Sequence, residues 1–477
     1  MPPVTLPSKC DLETDVLVIG AGSAGMPAAF TIAKAGYKAL LVEDRPKTGG
    51  SLAMVVGAFA VCGSDEQKAA GIQDSPDIFF NDLVKFCDSD RALARAYVDH
   101  VHEIYEILKE EGMVWPGLAN VPGHTVTRCL GWLLGYGPKI VECFEKRCKK
   151  LGVPILFKHR AQRLTIDPPT GRVTGAVVFE GDKKKYIKAN MGVVIATGGF
   201  LHNKEIIGEY DPYMVNCIPK MPISHQGDGL KMGLELGAAT TDIGIAVAGS
   251  WPLCKDSHSR CIWALDVGGI MVNKFGKRFH SEGSDEGFYG IMTRAAMAQP
   301  DGFYCVVYTK ELEKFLGVNL VKGEIVQNME HVKDLEQCVR YYGDTPEELA
   351  QKLGVDPVGF AETIAKWNSD VEKVGYDTVF NRKAKFCGYG KLDLLKPPFI
   401  GIKAVTSLTS GKGGLKINDK MQVIDQFGDP IPGLFAGGEV AGGLFHKSYA
   451  LATMSSMAPT QGMLAARTIL EEFKGKK

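Results

Sequence analysis

Proton-bearing side chains lie beside paired glycines in the segment FAGGEVAGGLFHKSYALATMSSM, residues 435–457. Two glycine pairs flank Glu439, and His446 and Tyr449 follow shortly afterwards. Glycines let a ligand approach the backbone closely because they carry no side chain. A phenol can hydrogen-bond a ketone oxygen or deliver a proton to a developing carbanion. The segment therefore predicts a ligand site beside side chains that can exchange a proton.

A second glycine motif stands near the N-terminus, inside a strand–turn–helix–strand pattern. The apolar run at residues 15–19 predicts a buried strand, and GAGSAG follows it in G-x-G-x-x-G spacing. Such glycines permit a tight turn and the close approach of a pyrophosphate, which the helix N-terminus faces. The next apolar strand ends in Glu43, where a carboxylate can accept hydrogen bonds from ribose hydroxyls. This unit predicts dinucleotide binding and leaves both NAD and FAD open. Its predicted contacts are Gly20, Gly22, Ser23, Ala24, Gly25, Glu43 and Asp44.

Composition indicates a globular chain that must position these residues with more than one core. It has 477 residues, of which 45% are hydrophobic and 23% charged. The 55 basic and 55 acidic residues balance, so nothing favours nucleic acid or an anionic membrane surface as a partner. No stretch approaches the ~20 apolar residues of a membrane span, and the start lacks a signal-peptide pattern. Twelve cysteines without a C-x-x-C pair predict no metal site and a cytoplasmic location.

Further glycine turns complete a set that spans most of the chain. Gly49, Gly50 and Ser51 follow the first unit and could carry the chain along the diphosphate and ribityl part of a longer cofactor. GVVIATGGF (192–200) is a strand followed by a glycine turn, and GDGLKMGLELGA (227–238) is a glycine turn that opens a helix. A hairpin and a buried strand precede the glycine pairs around Glu439.

This set resembles the FAD-dependent oxidoreductase family of fumarate reductase flavoproteins and 3-ketosteroid dehydrogenases, from about residue 15 to residue 467. The resemblance implies an α/β fold: a Rossmann-like FAD-binding domain built from both chain ends, with an inserted α+β substrate-cap domain. We expect the FAD-binding domain at residues 1–240 and 392–477 and the cap at 241–391. Further FAD contacts implied by the resemblance are Ala196, Thr197, Gly198, Asp228, Gly438, Glu439 and Ser455. Since the chain has no histidine before His100, the flavin is expected to be bound non-covalently.

The resemblance also indicates which substrates fit poorly. Fumarate reductases use an arginine acid from the cap, and Glu286 stands at its position here. Their C-terminal histidine and arginine clamps correspond to Phe445 and Tyr449. A small dicarboxylate would therefore lose its charged partners, and fumarate is the least favoured substrate.

Ketosteroid dehydrogenases instead use tyrosines, and Tyr449 and Tyr289 stand at or near the matching places. Leu451 replaces the glycine usual after the C-terminal tyrosine, which weakens the steroid assignment. His446 and Arg294 are alternative proton donors. Each of these side chains could also be structural.

These observations predict an FAD oxidoreductase that reduces or desaturates a carbon–carbon bond of an apolar, ring-containing small molecule. A 3-oxosteroid and an isoflavonoid both remain open as substrates. Because no second G-x-G-x-x-G unit is evident, electrons are expected to be exchanged with an external donor or acceptor. The alternatives are an enoate reductase for a monocarboxylate such as urocanate or a cinnamate, and an FAD-retaining protein without catalysis. The sequence carries no signal for an oligomeric state.

Overall fold

The largest sheet is built around a central apolar strand, β1, whose side chains from Val16 to Val18 are fully buried. A computed structural model describes residues 4–55, 57–121, 123–131, 135–252, 263–282, 290–300, 303–316, 318–321, 324–327, 335–384 and 391–475. This sheet has eight described strands. They are β1 (Leu12–Ile19), β2 (Ala39–Glu43), β6 (Ile155–Phe157), β7 (His159–Asp167), β8 (Arg172–Glu180), β9 (Lys183–Ile195), β18 (Gln422–Ile424) and β19 (Pro430–Ala436).

Parallel pairing in this sheet brings the two ends of the chain together. Its main path runs β18-β19-β9-β1-β2-β6, and β19 pairs in parallel with β9, so residues 434–436 align with 193–195. Between β1 and β2 the chain forms helix α1 (Gly25–Lys34), as the sequence pattern predicted. Because β1 and β19 lie on either side of β9 and both run parallel to it, the turns that follow them meet at one edge of the sheet.

A second sheet joins the middle of the chain to its C-terminal part. Its strands are β10 (Ile218–Pro219), β11 (Thr240–Pro252), β12 (Ile270–Val272), β13 (Tyr304–Thr309), β16 (Tyr341–Gly343) and β17 (Phe399–Leu415). The long strand β17 pairs with β10, β11, β13 and β16. It thereby joins the two predicted FAD-binding segments and the predicted cap segment. The boundaries between these segments, near residues 240 and 392, stay predictions.

A third sheet of short strands lies beside the first glycine turns. It contains β3 (Phe59–Ala60), β4 (Leu118–Ala119), β5 (Cys129–Leu130), β14 (Val318–Val321) and β15 (Glu324–Gln327). One register pair, Leu320 with Leu118, joins the middle of the chain to its first part. This sheet ties the predicted cap segment to the predicted FAD-binding segment.

Helices pack against the sheets. The others are α2 (Asp65–Ala69), α3 (Pro76–Cys87), α4 (Arg91–Glu110), α5 (Tyr136–Lys150), α6 (Lys204–Tyr210), α7 (Asp228–Glu235), α8 (Trp263–Asp266), α9 (Gly290–Met297), α10 (Pro346–Leu353), α11 (Pro357–Val374) and α12 (Thr453–Glu472). Helix α4 packs on the core through one apolar face, in which Leu93, Tyr97, Val101, Ile104 and Leu108 recur at helical spacing and are buried. Among the described residues, no helix is long and apolar enough to cross a membrane.

Candidate active site

The first glycine turn has the close contacts that its motif requires. Gly20 has φ +106°, and a Cβ there would lie 2.3 Å from the carbonyl oxygen of Ala196. A Cβ on Gly25 would lie 1.8 Å from the carbonyl oxygen of Gly20, so no side chain fits between α1 and this turn. A Cβ on Gly22 would meet no atom within 4 Å. Gly22 therefore exposes its backbone to open space, where a ligand can approach.

That open space is a cleft of about 1750 Å³, including its part open to solvent. Most of the predicted cofactor contacts line it: Gly20, Gly22, Ser23, Ala24, Glu43, Asp44, Gly50, Ser51, Ala196, Thr197, Gly198, Asp228, Gly438, Glu439 and Ser455. Gly25 and Gly49 lie behind the lining, where Gly49 donates its N–H to the carbonyl of Ala21 at 2.9 Å. The structure thus brings together glycine turns that are separated by more than four hundred residues in the sequence.

Glu43 supports the first glycine turn from inside the cleft. Its Oε2 accepts a hydrogen bond from the Ala21 N–H at 2.9 Å, and its Oε1 accepts one from the Arg45 N–H at 3.0 Å. Burial, followed by a hydrogen bond with Asp44, raises the pKa of Glu43 to about 7. The carboxyl group holds the turn in shape and keeps lone pairs for the ribose hydroxyls that the sequence pattern predicted.

Glu439 is a second carboxyl group of the cleft lining, and it is held by backbone and hydroxyl groups. Its Oε1 accepts a hydrogen bond from the Gly411 N–H at 2.7 Å and contacts the Ser410 hydroxyl at 3.5 Å. Burial raises the pKa of Glu439 to about 7. A Cβ on Gly199 would lie 2.6 Å from Oε1 of Glu439. This close contact explains why the turn after β9 has a second glycine beside Gly198.

His225 is a cleft residue that the sequence patterns missed. Its Nε2 lies 2.9 Å from the Ser51 hydroxyl, and its Nδ1 lies 3.8 Å from Oε2 of Glu439. Burial, with His202 and Arg45 nearby, lowers the pKa of His225 to about 4, so the ring is neutral. Its position just before the GDG turn of α7 was the available signal, because a buried turn beside a glycine motif faces the same ligand.

Tyr449 is the predicted catalytic residue that lines the cleft. Its hydroxyl accepts a hydrogen bond from the Met454 N–H at 3.3 Å, and its ring packs edge-on against Phe445 at 5.0 Å. Burial raises the pKa of this phenol, so it is protonated and able to donate. Thr409 and Ser410, which the sequence analysis did not single out, line the same cleft from β17.

Two of the other predicted proton donors, His446 and Arg294, are not part of the described cleft lining. Nδ1 of His446 lies 2.5 Å from Oδ1 of Asp242, and the imidazole is not part of the cleft lining. Arg294 is two-thirds exposed and lies 3.8 Å from Asp211. Tyr289, together with Glu286, lies outside the described residues. Of the four candidates, the structure brings Tyr449 to the glycine turns.

Polar atoms without partners show that the cleft suits a long polar ligand. The buried atoms Thr197 Oγ1, His225 Nδ1 and Arg45 Nη1 have no hydrogen-bond partner among the described residues, and all three residues line the cleft. Buried polar atoms of this kind are costly unless a ligand or water satisfies them. The glycine turns and these atoms together fit a dinucleotide. In the described part of the chain, no cluster of side chains could hold a metal ion.

Comparison with known families decides which dinucleotide this is. The model of the family described as "FAD binding domain" matches residues 15–456. The chain belongs to this FAD-binding family. It is an FAD-dependent oxidoreductase, and this confirms the family, the fold class and the cofactor that the resemblance predicted.

Curated members of the family have several reductase names. The probable fumarate reductase Ifc3 of Shewanella frigidimarina is 32% identical over 90% of this chain and 70% of its own length. The urocanate reductase of Eggerthella lenta is 28% identical over 91% of this chain and 71% of its own length. The vinyl phenol reductase of Lactiplantibacillus plantarum is 26% identical over 91% of both chains.

Solved structures show the same architecture. The open conformation of a flavocytochrome c3 fumarate reductase matches with a TM-score of 0.76 and 29% identity, over 97% of this chain and 80% of that one. The 3-ketosteroid Δ1-dehydrogenase of Sterolibacterium denitrificans matches with a TM-score of 0.80 over 96% of this chain and all of that one. Its 19% identity makes this a likeness of fold.

Proposed function

We propose that this flavoenzyme reduces a carbon–carbon double bond, or forms one by desaturating a carbon–carbon single bond, in a largely apolar, uncharged, ring-containing substrate. The single observation that carries the proposal is the chemistry of the lining from β17 and the turn before α12. There the lining contains the hydroxyl-bearing residues Thr409, Ser410 and Tyr449 beside Leu451 and Met454. Such a surface suits a ring that carries a ketone or phenol oxygen.

Charge supports this substrate class over a dicarboxylate. The two arginines of the described lining are Arg45 and Arg160. They belong, with Glu43, to the part of the cleft that is predicted to hold the nucleotide. Arg160 is already paired with Asp228 through two hydrogen bonds of 2.7 and 2.9 Å. In the described lining, the segment around Tyr449 contributes no arginine, lysine or histidine. A substrate with two carboxylates would lose its hydration there without charged partners.

Within this class, the vinyl phenol reductase supports a phenolic ring. A 3-oxosteroid offers the same pairing of ring and oxygen and remains the second candidate in this class. A monocarboxylate is the alternative that the urocanate reductase supports. Against it stand the contacts of two basic side chains that could bind a carboxylate, because His446 is paired with Asp242 and Arg294 lies near Asp211.

The residues of this chain have distinct parts in the proposed reaction. The flavin supplies or accepts the hydride. In the reductive direction Tyr449 donates a proton to the substrate carbon, because its raised pKa keeps the phenol protonated; in the desaturating direction it hydrogen-bonds the substrate oxygen. Ser410 and Thr409 orient the substrate oxygen, and Leu451 and Met454 exclude water from the ring.

We place the reaction in the cytoplasm, with electrons exchanged with a separate donor or acceptor. The cysteines support this compartment because those that the structure describes are free thiols, most of them buried. The separate carrier rests on the sequence, in which no second dinucleotide motif is evident.

The proposal is tested by mixing the anaerobically reduced protein with each candidate and following the visible absorbance of the oxidised flavin. We expect 4-vinylphenol or a ring enone to reoxidise the flavin faster than urocanate, and fumarate to leave it reduced. Rapid reoxidation by fumarate would contradict the proposal.

Tyr449→Phe should slow turnover of the substrate found by roughly 10²–10⁴-fold, as expected for loss of a general acid. Tyr186→Phe, outside the described cleft lining, is the matched control.

A further inference from the structure

A strained turn connects Tyr449 to the first residues of α12. Ala452 has φ +69° and ψ −5°, a left-handed conformation that is unfavourable for an alanine. Tyr449, Leu451, Ala452, Met454 and Ser455 all line the cleft. Strain of this kind persists only where the surrounding contacts fix the backbone.

Two hydrogen bonds from distant residues fix this turn. The Ala60 N–H donates to the carbonyl of Ala452 at 3.1 Å. Nε2 of His124 lies 2.7 Å from the carbonyl oxygen of Leu451. Gly123 packs closely against the same turn, since a Cβ at Gly123 would lie only 2.6 Å from Cα of Ala450. The segment around His124 therefore packs against the turn and fixes its backbone.

The protonation of His124 is determined by a buried arginine. Nη1 of Arg128 lies 3.0 Å from Nδ1 of His124. Since a guanidinium can only donate, Nδ1 must accept, and the ring hydrogen is on Nε2, which donates to Leu451. Burial and the nearby Arg128 lower the pKa of His124 to about 4, so this neutral tautomer is the form present near neutral pH.

Arg128 is itself fixed by charge. It is fully buried and donates to Asp74 through Nε and Nη2 at 2.9 and 3.0 Å. Its Nη1 also donates to Asp82 at 2.5 Å. The guanidinium lies 4.4 Å above the ring of Phe79, which also contacts the imidazole of His124. A rigid chain of contacts thus runs from two buried carboxylates to the carbonyl of Leu451.

We propose that His124 is a positioning residue of the active site. Its Nε2–H holds the carbonyl of Leu451 and thereby fixes both the phenol of Tyr449 and the first turn of α12 against the bound flavin. The role of the flavin follows from the family, whereas the role of Tyr449 in proton transfer rests on the proposed function. Substitution of His124 should therefore alter the flavin site itself, independently of any substrate.

The test compares His124→Phe, which removes the donor and keeps a flat ring, with His124→Gln, whose amide can still donate to Leu451. The holoproteins are compared by visible circular dichroism of the bound flavin, by its midpoint potential and by the dissociation constant of FAD. We expect His124→Phe to change the dichroism and the potential and to weaken FAD binding roughly tenfold, as for loss of a buried hydrogen bond. His124→Gln should restore most of each value.

Two controls separate positioning from simple loss of packing. His100→Phe removes an imidazole on α4 whose Nδ1 contacts the carbonyl of Ala96, and it should leave all three measurements unchanged. If both His124 variants shift the measurements equally, or if neither does, the proposed hydrogen-bond role is overturned.

Once a substrate is found, a double-mutant cycle tests the link to Tyr449. His124→Phe should slow turnover less in the Tyr449→Phe background than in the wild type, because both changes then act through one residue. Fully additive losses would overturn this link. If turnover proves independent of Tyr449, the proposed function fails, while the flavin measurements still decide the role of His124.

Discussion

At the scale of single residues, His225 offers a cofactor contact that no motif assigns. Its Nδ1 is buried without a partner among the described residues, while its Nε2 contacts Ser51. We predict that His225→Leu weakens FAD binding roughly fivefold to thirtyfold, because a buried hydrogen bond contributes about 1–2 kcal/mol. Fluorescence titration of FAD into the FAD-free protein measures the change.

The matched control is His202→Leu. This neighbouring imidazole contacts the carbonyl of Met221 through Nε2 and is not part of the described cleft lining. It should bind FAD as the wild type does. Equal FAD affinity of the His225 variant and the wild type would show that Nδ1 does not contact the cofactor.

Glu439 gives a prediction for the effect of pH. Burial raises its pKa from 4.5 to about 7, so the folded state holds the proton more tightly than the unfolded state. The resulting stabilisation is complete below about pH 4.5 and is lost as the pH rises through about 7. The free energy of unfolding of the FAD-free protein should therefore fall over this range. Glu439 contributes at most about 3 kcal/mol of this fall.

Urea denaturation at a series of pH values measures this dependence. Glu439→Gln should flatten the curve, since glutamine stays neutral, although Glu43 retains a similar dependence because its pKa is also raised to about 7. Glu311→Gln is the control, because Glu311 lies exposed beside Lys314. A slope that Glu439→Gln leaves unchanged would show that this carboxyl group is charged in the folded protein.

The sequence singled out many of the residues that line the cleft, because a glycine motif indicates its own role. A glycine next to a strand end indicates a close backbone approach, whatever the rest of the chain does. Thr409 and Ser410 carry no such signal, and His225 has only its position before the GDG turn of α7. They reach the cleft because the turn before α7 is buried beside Gly198 and because β17 passes Glu439. Their positions depend on tertiary contacts between segments far apart in the sequence.

At the scale of elements, the crossing of α12 and α1 depends on one glycine. A Cβ on Gly462 would lie 1.9 Å from the carbonyl oxygen of Ala24 in the first glycine turn. Gly462→Ala should lower the free energy of unfolding by about 1–3 kcal/mol, because overpacking forces the two helices apart. The same change should weaken FAD binding, since Ala24 lines the cleft.

Chemical denaturation and FAD titration of the purified variant check both effects. Gly208→Ala in α6 is a helical control, because its Cβ would meet only Val215, at 3.9 Å. That control should be neutral or slightly stabilising, by up to about 1 kcal/mol. If both variants are equally stable, α12 does not need its close approach to α1.

At the scale of the whole molecule, the cleft is shared by segments from both ends of the chain. Strands β1 and β19 flank β9, and the turns that follow β1 and β19 both line the cleft. The sequence predicted this arrangement through the family resemblance. It did not predict that β17 would join all three segments, because a strand that pairs with four others shows its partners only in the folded chain.

Because FAD would contact turns from both chain ends, it should stabilise the whole fold. The thermal midpoint of the FAD-free protein should rise with FAD concentration, equivalent to about 2.7 kcal/mol at a hundred times the dissociation constant. FMN should stabilise it much less at equal concentration, because it cannot reach Glu43, Asp44 and Arg45 in the lining predicted to hold the nucleotide. Acid precipitation should release the yellow colour into the supernatant, as expected for a flavin without a covalent bond. A coloured pellet would contradict the non-covalent attachment, and equal stabilisation by FMN and FAD would show that the nucleotide part of the cleft contributes nothing to binding.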